Sequence, residues 1–111
     1  MERWTVQDRN NHTIYLTAER WQHIQERHDE LIGRLDDVLD TLRYCQRTQE
    51  AMYPEKYRYR RPYDDLVYGF NHIVVIVLFR YDAEGKPNNF TVTAWGAYLY
   101  SQRWLLWKQI G

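Results

Sequence analysis

Apolar residues recur along this chain with two different periods. From Trp21 to Leu42 they fall every three or four positions, and from Tyr57 onward they either alternate with polar residues or run on unbroken. In the first region Trp21, Ile24, His28, Leu31, Ile32 and Leu35 form one helical stripe, which Leu35, Val38, Leu39 and Leu42 continue. Thr17 has the chemistry of an N-cap, with Ala18 and Glu19 in the first turn behind it. Gly33 is placed to divide the stripe into two helices. Asp36, Asp37 and Asp40 fall on the water-facing side of the second, a solvated acidic surface.

The remaining pattern is that of strands. Trp4 to Gln7 and Thr13 to Leu16 are β-rich and flank "DRNNH", whose Asp8, Asn10 and Asn11 are turn formers, so a small hairpin is expected. Cys45 to Pro54 is polar and carries no periodicity. In "EKYRYRRPY" alternation sends Tyr57 and Tyr59 one way and Lys56, Arg58 and Arg60 the other, until Pro62 stops the run. "PYDDLVYGFN" reads as a loop or short strand. "HIVVIVLFRY" is apolar on both faces, as a central strand is. After the "DAEGKPNN" loop, Phe90 to Tyr98 is a further strand, paired with it as a hairpin. Thr91, Thr93 and Trp95 should share one face, and Phe90, Val92 and Ala94 the other. His72, Val74, Ile76, Leu78 and Arg80 share a face of the neighbouring strand, but spacing does not say which face joins the threonines. Ser101 to Gly111 fits a short helix carrying Trp104 and Trp107. The expected fold is therefore a single α+β domain over residues 1–111: two N-terminal helices packed on an antiparallel sheet of about four strands.

Composition narrows the function classes. Fifteen basic and fifteen acidic residues cancel, so bulk charge supplies no general affinity for nucleic acid and only a local patch can. The single cysteine, Cys45, allows no intrachain disulfide and fits a reducing compartment. The first residues lack the apolar core of a signal peptide, and the longest apolar run, Ile73 to Phe79, is far too short to cross a bilayer. A cytoplasmic protein with no membrane association is expected. Of the four histidines, His23 and His28 are five apart, too far round a helix to share a metal, and neither CxxC nor HExxH occurs. No metal and no other cofactor is expected. Cys45, with no base near it in sequence, reads as a small buried hydrophobe.

The tyrosine-and-arginine strand gathers four cations, Lys56, Arg58, Arg60 and Arg61, into six residues of a chain with no net charge. Aromatic rings interleaved with Lys and Arg suit single-stranded RNA, because bases stack and phosphates pair with cations. Tyr57 and Tyr59 are then candidate stacking platforms, and Lys56, Arg58, Arg60 and Arg61 candidate phosphate contacts. The alternative is an edge strand whose charges block aggregation, although one or two lysines would serve that end. His28, in the middle of the apolar stripe, should face the sheet, where a core histidine held by a hydrogen bond is the simpler explanation. His23 should lie on the opposite side with Arg27 and Glu30 as neighbours.

"YLTAERWQHIQERHDEL", the acidic-faced helix, the basic Tyr-rich segment, "NHIVVIVLFRY" and "FTVTAWG" together resemble the barnase/EndoU/colicin/RelE-like nuclease superfamily of small phage- and toxin-associated domains. The resemblance covers roughly Tyr15 to Tyr98, and Asp29 stands where the family pattern has proline. It implies helices packed against an antiparallel sheet that bears the active site, and a metal-independent ribonuclease, often the toxin of a toxin–antitoxin pair. RNA and an antitoxin protein are the partners it implies. Metal-free RNA cleavage needs a base for the 2′-hydroxyl proton, an acid for the leaving oxygen and cations for the phosphate. The chain offers each part: the candidate catalytic residues are His28, Arg58 or Arg60, and Thr93 as an orienting hydroxyl. The resemblance puts His28 first, with His23 and Arg27 behind it as RNA contacts. The aromatic-rich composition also fits a different class, a non-catalytic protein- or RNA-binding regulatory module on the same fold.

Overall fold

The computed structural model describes residues 2–99. Six strands and two helices follow one another: β1 (Arg3–Gln7), β2 (Thr13–Thr17), α1 (Ala18–Arg27), α2 (Leu35–Tyr44), β3 (Arg47–Gln49), β4 (Lys56–Pro62), β5 (His72–Tyr81) and β6 (Pro87–Ala97). The class is α+β, as expected, but the sheet is larger than four strands and is mixed. Its order is β1-β2-β6-β5-β4-β3. All neighbours are antiparallel except β2 and β6, which touch in parallel only at Ile14–Asn89 and Tyr15–Phe90. β3 rises from the stretch that showed no periodicity. Its three residues are polar, and it forms because β4 offers an edge to pair with, not because of its own side chains. The expected C-terminal helix lies outside the described residues.

Both helices cover the same face of the sheet. Trp21 and Ile24 of α1 and Val38, Leu39 and Leu42 of α2 bury against Tyr59, Ile73, Val75, Val77 and Ala94. Alternation explains the choice: these sheet residues are cross-strand partners, Tyr59 opposite Val75 opposite Ala94, and so project to one side. Thr17 caps α1, its hydroxyl accepting from the Arg20 N–H at 3.1 Å. The apolar stripe does not run through as one helix to Gly33. It breaks at His28, whose non-helical backbone (φ −131°, ψ 78°) closes α1 while its N–H still reaches the Ile24 carbonyl at 2.8 Å. A single 3-10 turn, Asp29–Leu31, follows, and Gly33 (φ +80°) takes the left-handed conformation that lets α2 start in a new direction. His28 is therefore a capping residue at the end of α1 and not a mid-helix core residue.

A β-bulge changes the reading of β6. Thr93 pairs with Ile76, but the next pair is Thr91 with Val77, so the register slips by one residue between Ile76 and Val77. Thr91 consequently lies with Val77 on the helix side, 3% exposed, while Thr93 and Trp95 project away from the helices. The expected Thr91–Thr93–Trp95 face is split by that one extra residue.

Candidate nucleic-acid interface on the outer sheet face

Three rows of cross-strand partners cross the face turned away from the helices. Thr48, Arg58, Ile76 and Thr93 form one, from β3 to β6; Arg60, Val74 and Trp95 form the next; Lys56, Leu78 and Phe90 flank them on the other side. The even-numbered residues of β4 thus bring three cations onto one surface, and Trp95 and Phe90 add aromatic rings to it. Arg58 and Trp95 are in contact range, with the guanidinium carbon 5.9 Å from the ring centre. Arg58 also pairs with Glu50 at 3.2 Å, yet its Nε is buried with no acceptor among the described residues. Arg60 stands exposed. A guanidinium beside an indole can hold a phosphate while a base stacks on the ring.

His28 borders this face. Its ring lies 6.5 Å from Trp95, and its side chain is 32% exposed. Glu30 fixes the turn that carries it. The Glu30 carboxylate, itself buried, accepts the Gly96 N–H at 2.8 Å and lies 3.7 Å from His28 Nδ1. Gly96 is required here, since a Cβ at this position would sit 2.9 Å from Glu30 Cγ and 2.7 Å from Phe70 Cδ2. Past Phe90 the edge of β6 has no partner in β2, which leaves its N–H groups free for this side-chain cap.

His23 and Arg27 are exposed on α1 and line a cleft of about 650 Å³ between that helix and β6, with Arg20, Val92 and Thr93. Thr93 belongs both to this cleft and to the cationic face and so joins the two. The carboxylates near His23 are Glu19 (3.9 Å) and Glu26 (3.8 Å), not Glu30, because the helix ends before residue 30.

Tyr57, Tyr59 and Arg61 do not lie on this face. The strand alternates as expected, but its odd-numbered face is the one the helices bury. Tyr59 is 0% exposed and donates its hydroxyl to Asp8 at 2.5 Å. Burial first, then that hydrogen bond, pushes its pKa well up, so it stays protonated and donating. Tyr57 is half-buried between the Arg47 guanidinium (4.3 Å) and Phe79 (4.8 Å). Arg61 pairs opposite Ile73 and stacks on Tyr63 and Tyr44, with Asp40 at 3.8 Å. Tyr59 is sealed, and no base can stack on it.

Two residues were missed. His72 opens β5 on the outer face, opposite Pro62 and Ala97 and next to the row of Arg60 and Trp95. Asn71 precedes it and holds its Nδ1 at 2.7 Å. The only signal in the sequence was the even spacing of His72, Val74 and Ile76, which needs the pairing of β5 with β6 before it says anything about Trp95. Cys45 is half-buried, and burial pushes its thiol up against a partial pull from Arg61 and Arg9, so it is a poor nucleophile. Among the described residues no group of three or more His, Cys, Asp or Glu is placed to hold a metal ion, and no helix is long and apolar enough to cross a membrane. No family model, curated protein or solved structure matches the chain.

Proposed function

We propose that this chain is a metal-independent endoribonuclease of the barnase/EndoU/colicin/RelE-like kind, acting in the cytoplasm as the toxin of a toxin–antitoxin pair. The observation that carries the proposal is the convergence on one sheet face of Lys56, Arg58, Arg60, Thr93 and Trp95, with the His28 ring at its border 6.5 Å from Trp95. Trp95 stacks a base, Arg58 and Arg60 neutralise phosphate, and Thr93 orients it. His28 supplies one of the two proton transfers that cleavage needs. The cleft that holds His23 and Arg27 extends the strand's path beyond Thr93.

The test is incubation of the purified protein, freed of any copurifying partner, with RNA in the presence of EDTA. Cleavage is expected to be unaffected by the chelator. His28→Ala should lower the rate at least about 100-fold while the thermal melt shows a folded protein. A His28→Ala variant that melts lower but cleaves normally overturns the role of His28. Wild type that binds RNA and never cuts it would replace the enzyme with a non-catalytic RNA-binding module using the same face.

A further inference from the structure

The Asn71 amide has only one orientation that satisfies its neighbours. Its Oδ1 accepts the Leu99 N–H at 2.9 Å, and its Nδ2 donates to the Leu99 carbonyl at 3.3 Å. The backbone on either side is tied as well: the Asn71 N–H donates to the Ala97 carbonyl and the Asn71 carbonyl accepts from Tyr63 N–H, both at 3.0 Å. The oxygen that faces His72 Nδ1 at 2.7 Å is therefore an acceptor, and Nδ1 must carry the proton. In the neutral ring Nε2 is then a bare lone pair. Two further features favour the neutral ring: burial first, and the charge of Arg60 second, hold the His72 pKa below the usual histidine range. Arg61 and Asp64 are the other charged residues lining the cavity of about 550 Å³ at this end of β4 and β5.

His72 also stands in the right place. It lies opposite Ala97, two residues along β6 from Trp95, and strand spacing puts such diagonal neighbours about 7–8 Å apart. His28 approaches Trp95 from the other side, across the free edge of β6. Two imidazoles thus flank the ring proposed to stack a base, with Arg60 in the adjoining row.

We propose that His72 is the general base of RNA cleavage and that His28 is the acid, with Asn71 as the positioning residue that fixes the His72 tautomer; this rests on the ribonuclease assignment above. His72 Nε2 takes the proton of the ribose 2′-hydroxyl. The O2′ electron pair forms a bond to phosphorus, and the bond from phosphorus to the 5′-oxygen breaks. That oxygen takes its proton from His28. The products are a 2′,3′-cyclic phosphate and a free 5′-hydroxyl, one proton having been taken up and one given out.

Three measurements test it on the whole chain. Cleavage of a short RNA by His72→Ala and His72→Gln should fall at least about 100-fold, with binding of the 2′-O-methyl oligonucleotide retained. Asn71→Asp should move the acid limb of kcat/KM to higher pH, because a carboxylate beside Nδ1 favours the imidazolium; a residue that only supports the fold would leave that limb in place. Nitrogen NMR of wild-type His72 near neutral pH should show a protonated Nδ1 and a bare Nε2. Either His72 variant folding and cutting at the wild-type rate overturns the base assignment while the ribonuclease stands, as does an Nε2–H tautomer. Wild type that binds the oligonucleotide and cuts no RNA ends the ribonuclease assignment, and the base assignment with it.

Discussion

Along β4 neighbouring residues meet opposite fates. Tyr59 is sealed under the helices with its hydroxyl on Asp8, while Arg60, one residue on, is exposed beside Val74 and Trp95. The same comparison holds for the two faces of the whole sheet. On the helix side the Asp8 carboxylate is fully engaged, while Thr91 Oγ1, Arg47 Nη1 and His12 Nδ1 are buried without a hydrogen-bond partner among the described residues. Asp8, 5% exposed, accepts from Tyr59 and from the Asn10 and His12 N–H groups, and Arg47 stacks over Tyr57 and Phe79 nearby. On the outer side Arg58 Nε likewise has no acceptor among the described residues, and Arg60 stands exposed. The faces differ in burial and charge: the helix side is sealed under apolar side chains, and the outer side carries Lys56, Arg58 and Arg60.

Substitutions on the two faces should therefore fail in different assays. The largest stability effect is expected for Asp8→Ala, which leaves the buried Tyr59 hydroxyl without an acceptor and should cost about 3 kcal/mol in a denaturant melt. Its RNA affinity, measured where the variant is folded, should stay near wild type; a selective loss of RNA binding would erase the contrast between the faces. Trp95→Ala should do the reverse, weakening a single-stranded RNA oligonucleotide by about 1–3 kcal/mol for the base that stacks there. An unchanged dissociation constant would remove Trp95 from the interface.

A smaller effect separates the faces by pH. Burial pushes the Asp8 carboxyl up, but the bonds from Tyr59, His12 and Asn10 together outweigh it and leave its pKa lowered. A carboxyl lowered on folding adds stability that is fully present above its unfolded pKa, about 3.9, and that is lost as pH falls through the folded value. Acid melts of wild type should thus lose a contribution below about pH 4 that Asp8→Asn never had. Parallel curves would show that Asp8 is not held as an anion.

Much of the fold was legible because local chemistry and global packing agree. The Thr17 cap, the apolar positions of α1 and α2 and the apolar run of β5 each have one comfortable environment, whereas Ile32, placed on the same stripe by spacing, is exposed once the chain breaks at His28. What stayed hidden depends on pairing between distant segments. β3 has no pattern of its own, and the bulge that turns Thr91 away from Thr93 exists only between β5 and β6. The site was half legible for the same reason. Alternation separated tyrosines from cations on β4, but which set would be buried was decided by helices elsewhere in the chain, and the tyrosines went inward. His72 could be placed beside Arg60 and Trp95 only once three strands were in register.

The central claim is that RNA meets the outer face of the sheet and not the helix side, and the salt dependence of binding tests it most directly. Each phosphate contact on a single strand contributes about 0.7 to the slope of log affinity against log salt. For a single-stranded RNA oligonucleotide, the Arg58→Ala, Arg60→Ala double variant should lower the magnitude of that slope by about 1.4. Arg43→Ala, on α2 across the sheet, should leave it unchanged. Equal slopes for wild type and the double variant, or an equal drop with Arg43→Ala alone, would contradict the assignment of the outer face and return the cations of β4 to the protection of a sheet edge.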